Sequence, residues 1–215
     1  MRFAYYDKLS PRRQRIYRQS DAIDTLGLPP GLALSAQIDA IDEALRHDRR
    51  ADVQTACQSL IDALTRGYHV PKVRVRVLAT RPADGEGELH GLYEPDDDGS
   101  PPRISVWMRT AQKKQVVAFK TFLRTLIHEL CHHLDYEHLK LDRSFHTEGF
   151  YRRESSLVYA ALPRRAERAT RIAPTAGVMR SAPGTPQSSA APPTPCESPI
   201  SRFLRLATGP REPRT

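Results

Sequence analysis

His128, Glu129 and His132 form an H-E-x-x-H pattern inside LIHELCHHLDYEHLKLDRSFHTEGF, a stretch that carries five of the chain's eight histidines. Residues four apart on a helix lie on one face, one turn from each other, so the two imidazoles can share a single ion. Glu129 stands beside that face, where a carboxylate can take a proton from water without ligating the ion itself. Zinc hydrolases combine these parts: neutral imidazoles, a Lewis-acid metal and a carboxylate base. The spacing therefore predicts Zn2+ on His128 and His132, with Glu129 as general base for hydrolysis by a metal-activated water. A purely structural zinc site has no use for that carboxylate and takes a fourth Cys or His instead.

A catalytic zinc also needs a third protein ligand and an open position, and three solutions are available. His138 completes the spacing H-E-x-x-H-x-x-x-x-x-H of the metzincins, but those proteins carry glycine where this chain has Asp135, and Met179 is the first methionine after the motif. Without a glycine to turn it, the helix should run on through Asp135 and Tyr136. His138 would then point about 120° away from His132. Glu148 or Glu154, on the next helix, would give the arrangement of the gluzincins. His146 opens HTEGF, with Phe150 four residues on, and follows LKLDRSF, long enough to bring the chain back over the metal.

Other residues receive plainer readings. Cys131 falls among Phe122, Leu123, Leu126, Ile127, Leu130 and Leu134 and is expected in the core. His133 is expected on the helix surface, and His47 and His69 in solvent. Asp135 is either a solvated carboxylate or an orienting partner for a ligand. Tyr136 and Tyr151 are core tyrosines or oxyanion donors, and His90 lies near the presumed cleft.

The elements that must position this chemistry read in order. SPRRQRIYRQSDAIDTL begins with Ser10 as N-cap and Pro11 at the first helical position. SAQIDAIDEALRHD and ADVQTACQSLIDALTRGY are amphipathic helices, the second closed by Gly67. KVRVRVLAT alternates Val73, Val75 and Val77 with charged residues and reads as a strand with one buried face. ELHGLYEP is a shorter strand and RISVWMR a third, the latter either an edge able to pair with an extended peptide or a plain half-buried strand. Helix returns in QVVAFKTFLRTLIHELCHHLDYEHL and TEGFYRRESSLVYAAL. Helices, a small meander and two further helices predict an α+β domain.

The net charge of +8 is uneven: from Arg164 onward nine arginines face three acidic residues, which accounts for +6. Residues 163–215 also hold ten of the eighteen prolines. Such a segment buries too little apolar surface to offset its ordering entropy and is expected to be a disordered tail with, at most, weak nucleic-acid contact. No apolar run is long enough for a membrane span. The N-terminus lacks a signal-peptide core, and Cys57, Cys131 and Cys196 are odd in number and far apart. A reducing cytoplasm is the expected compartment.

The portion GLYEP, RISVW, LIHELCHHLDYEH and FHTEGF resembles the SprT-like metallopeptidase domain, over roughly residues 70–162. That resemblance implies a zincin-like minimal domain with a three-stranded sheet over the H-E-x-x-H helix. It also implies zinc on His128, His132 and His146, Glu129 as base, and a polypeptide substrate. Residues 1–69 would pack on this catalytic part as a helical region. The chain departs from the family in that helical region and in lacking a Cys-based zinc ribbon. A non-catalytic zinc-containing module, DNA-associated or regulatory, is the alternative.

Overall fold

The computed structural model describes residues 3–162 apart from 85–86 and 97–98; the expected tail lies outside the described residues. Helix α1 spans Pro11–Ala22, and the Ser10 side chain accepts from the Arg13 backbone N–H, so the cap and the first-position proline act as read. Helices α2 (Ser35–Arg46) and α3 (Arg50–Gly67) follow. Strands β1 (Arg74–Thr80), β2 (Ala83–Asp84), β3 (Gly87–Glu88), β4 (Gly91–Glu94) and β5 (Arg103–Arg109) precede α4 (Phe119–Glu137) and α5 (Glu148–Ala161). The described residues thus make a mixed α+β fold in which β2 and β3 form a separate small hairpin. No helix among them is long and apolar enough to cross a membrane.

The sheet order is β1-β5-β4, with β5 parallel to β1 and antiparallel to β4. This corrects two expectations. The sheet is mixed and is not a meander. RISVWMR is its central strand, not an edge, and so cannot accept a peptide. The physical reason is that both backbone edges of β5 are taken, one by β1 and the other by β4, while both of its faces are covered too.

The outer edge of β1 is closed by side chains. The Gln54 amide donates to the Val75 carbonyl and accepts from the Val77 N–H, both at 2.7 Å. Gln58 does the same one step back, donating to Val73 at 3.0 Å and accepting from Val75 at 2.8 Å. Helix α3 is thereby fixed along the strand by polar contacts as well as by Leu60, Ile61 and Leu64 beneath. One apolar cluster contains residues of α2, α3, the sheet, α4 and α5. Each large side chain fully buried there contributes roughly 1.5–3 kcal/mol. A second, smaller cluster joins Tyr6, Ile16 and Tyr17 to Leu141 and Phe145.

Candidate metal centre

Helix α4 buries Phe122, Leu123, Leu126, Ile127, Leu130, Cys131 and Leu134, the periodic stripe that anchors it in the core. It continues through Asp135 and Tyr136 to Glu137, and exposed His138 is its C-cap, with its ring 5.1 Å from that of Tyr68. His138 therefore stands outside the site. The chain then turns, with Lys140 at a φ of 53°, and returns along residues 139–147. This return places His146 over His128 and His132, and the ligand atoms of the three lie within 4.8 Å of one another. His146 Nε2 is 3.1 Å from His128 Nε2 and 3.0 Å from His132 Nε2. Phe150 lies beneath all three, its ring 4.7–5.2 Å from theirs.

The partners of the other ring nitrogens fix the tautomers. His128 Nδ1 is 3.0 Å from Glu154 Oε2, and an ionised carboxylate only accepts, so Nδ1 carries the proton. Ser144 donates its hydroxyl to Asp135 Oδ2 at 2.7 Å, so the His132 Nδ1 that lies 2.7 Å from Ser144 Oγ donates to it. Both Nε2 atoms are left with lone pairs, aimed at a third nitrogen. Hydrogen bonding cannot satisfy that triangle when all three rings are neutral, and a shared cation can. Ligand nitrogens of a tetrahedral zinc lie roughly 3.3 Å apart, given Zn–N distances of about 2.0–2.1 Å. The three histidines therefore fit a metal ion.

Electrostatics favour neutral rings at His132 and His146. Burial, helped by the charge of His128, lowers His146 to about 3. Burial also holds His132 well below the ordinary range, with His146 and His128 adding to the effect. At His128 burial acts downward, but the bond to Glu154 and the charges of Glu129 and Glu154 together raise it. A proton thus competes with a cation chiefly at His128.

Glu129 is buried, and its Oε2 has no hydrogen-bond partner among the described residues. Burial lifts its pKa to about 7, against the opposing pull of His128 and a backbone hydrogen bond from Tyr93. The carboxylate fits against Gly91, the first residue of β4. A Cβ there would meet Glu129 Oε1 and would lie 2.8 Å from both Glu129 Cγ and Thr125 Cγ2. Gly91→Ala should accordingly displace Glu129 and destabilise the fold by roughly 1–3 kcal/mol. Denaturant titration of the variant beside the parent measures the loss.

The remaining candidates separate clearly. Glu148 is turned to Arg152 at 2.5 Å and does not join the cluster. Glu154 is buried but orients His128 through Nδ1 and is not among the clustered ligand atoms. Asp135 is buried, not solvated; it acts on His132 through Ser144 and pairs with buried Arg153 at 3.0 Å. His133 corrects the surface assignment. It is buried, donates from Nε2 to the Pro71 carbonyl at 2.9 Å and accepts from Tyr93 Oη at 3.0 Å, tying α4 to β4 and to the chain before β1. Tyr151 stacks on His146 at 5.8 Å, Tyr136 on Tyr93 at 6.1 Å, and half-buried His90 stays outside the cluster. His47 and His69 are exposed as expected.

Gly91, Ser144 and Arg153 were not singled out from the sequence. Arg153 and Glu154 did leave a signal, since they fall on the stripe of Phe150, Leu157 and Ala161. No protein-family model, curated protein or solved structure matches this chain.

Proposed function

We propose that this chain is a zinc-dependent peptidase of SprT-like, zincin type, with His128, His132 and His146 as ligands and Glu129 as general base. The observation that carries this reading is the convergence of three imidazole Nε2 atoms, two with their lone pairs fixed toward the centre, next to a buried carboxylate in H-E-x-x-H register. A bound Zn2+ would supply Lewis acidity toward a scissile carbonyl and the attacking water. Glu129 Oε2 accepts the water's proton, and a pKa near 7 lets the same oxygen hold that proton and return it to the leaving amine. Glu154 and Ser144 keep the ligand rings in the binding tautomer. Strand β4, whose first residue abuts Glu129, ends the sheet on that side, and its outer edge is where an extended peptide would pair.

Metal content and peptide hydrolysis, measured together, test this. The purified chain should hold one zinc and cleave an unstructured polypeptide, and a chelator should abolish cleavage. His146→Ala should lose the metal at micromolar free zinc, and His138→Ala should retain it. Zinc kept by His146→Ala and lost by His138→Ala would refute the ligand set. Full zinc without hydrolysis of any polypeptide would leave the non-catalytic module as the better reading.

A further inference from the structure

His146 and Ser144 sit on residues 138–147, which form neither helix nor strand. A ligand on such a loop is held only as well as the loop is, because each unfixed residue has conformational freedom to lose on binding. The buried apolar side chains of this loop are Leu141 and Phe145, and both pack in the small second cluster. The other buried members of that cluster, Tyr6, Ile16 and Tyr17, come from the N-terminal segment.

Two routes run from that segment into the metal centre. Along the first, Tyr5 Oη donates to the His146 carbonyl at 2.8 Å, Tyr17 packs on Phe145 at 6.1 Å, and Phe3 meets the edge of Tyr151, which stacks on His146. Along the second, the C-terminal end of α1 presents the Ser20 and Ile23 carbonyls to Arg153 Nη1, a cation at the negative end of the helix dipole. Arg153 Nη2 donates to Asp135, Asp135 accepts from Ser144, and Ser144 holds His132. Gly149 permits this approach: a Cβ there would lie 2.8 Å from the Ser20 carbonyl oxygen, and its N–H donates to Asp21 Oδ1 at 2.9 Å.

We propose that the N-terminal segment from Phe3 to Ala22 is a positioning element of the metal centre, setting cation affinity through the loop that carries His146 and Ser144. Two of the three ligand histidines are secured from this segment, which lies more than a hundred residues earlier in the chain. Its displacement loosens those two ligands while His128, held by Glu154 on α5, keeps its orientation. The proposal rests on the reading of the three histidines as a cation site.

Zinc affinity by chelator competition, and the visible spectrum of the Co2+-loaded full chain, test it. Tyr5→Phe removes only the hydroxyl bonded to His146, and Tyr17→Ala removes the anchor of Phe145. Each should weaken zinc binding by roughly tenfold, the usual size for a group that orients a ligand. Tyr17→Ala should also change the Co2+ spectrum. Leu45→Ala, which truncates a buried α2 side chain of the main cluster, should lower Tm and leave affinity and spectrum unchanged. Parental affinity in both tyrosine variants overturns the proposal, and so does an equal loss in Leu45→Ala. If Tyr17→Ala does not fold, Tyr5→Phe decides alone. A parent chain that binds no zinc removes the cation site itself, and the proposal with it.

Discussion

Glu129→Gln is expected to abolish peptide hydrolysis, to keep the metal, and to make the metal-free fold more stable above neutral pH. The first two effects follow from position: the amide is isosteric but cannot accept the water's proton. The third follows from burial. The folded carboxyl titrates at about 7 instead of 4.5, so the folded state holds its proton more tightly than the unfolded chain. Stability referred to the neutral acid is fully present below 4.5 and is lost as pH rises through 7. At pH 8 the loss amounts to roughly 3 kcal/mol. The glutamine carries no charge, so the variant should exceed the parent by about that amount at pH 8 and by nothing at pH 4. Denaturant titrations at the two pH values, with chelator present, measure the difference. An equal gain at both would mean that the charge is not its source. Loading the cation pulls the carboxyl pKa down and should shrink the gain at pH 8.

The second large effect is expected at Arg153. Its side chain and that of Asp135 are both fully buried, and it is the only charged partner the structure gives that carboxylate among the described residues. Arg153→Met leaves Asp135 without compensation and removes the donor to the Ser20 and Ile23 carbonyls. Breaking a buried pair from one side typically costs about 3–5 kcal/mol. For a chain of this size that lowers Tm by roughly 10 °C. Adding Asp135→Asn should restore part of the loss, since a neutral amide needs no counter-charge yet still accepts from Ser144. A single-variant Tm within about 2 °C of the parent would show that water or rearrangement compensates the carboxylate.

Helix α4 was legible because its information is local. Apolar residues at helical spacing fixed the buried face of α4, and the absence of glycine at position 135 carried the helix past Tyr136 and turned His138 away. The return of His146 was legible for a related reason: Thr147 caps α5 and Phe150 follows in its first turn, so His146 had to stand just before the helix. The sheet order was not legible. Alternation in RISVWMR says which residues share a face, whereas the strands at its two edges, β1 and β4, are set by chain folding that no local pattern records. His133 was misplaced for the same reason, since Tyr93 and Pro71, which bury and satisfy it, lie 40 and 62 residues away. Arg153 and Glu154 were readable in principle, because two charges on an apolar stripe require buried partners. Ser144 sits in a loop with no period to betray it.

The glutamines along β1 bear on how copies of this chain can meet. Extended growth of a sheet from molecule to molecule requires two accepting edges, one to join and one to pass the pairing on. Gln54 and Gln58 occupy the outward backbone groups of β1 from the Val73 carbonyl to the Val77 N–H, and Arg50 takes the Val77 carbonyl at 3.1 Å. They serve as a fourth strand made of side chains. A neighbouring strand could pair along this stretch of β1 only by displacing those side chains first. Joining copies through that edge therefore costs hydrogen bonds the chain already makes with itself, which works against stacking by way of β1.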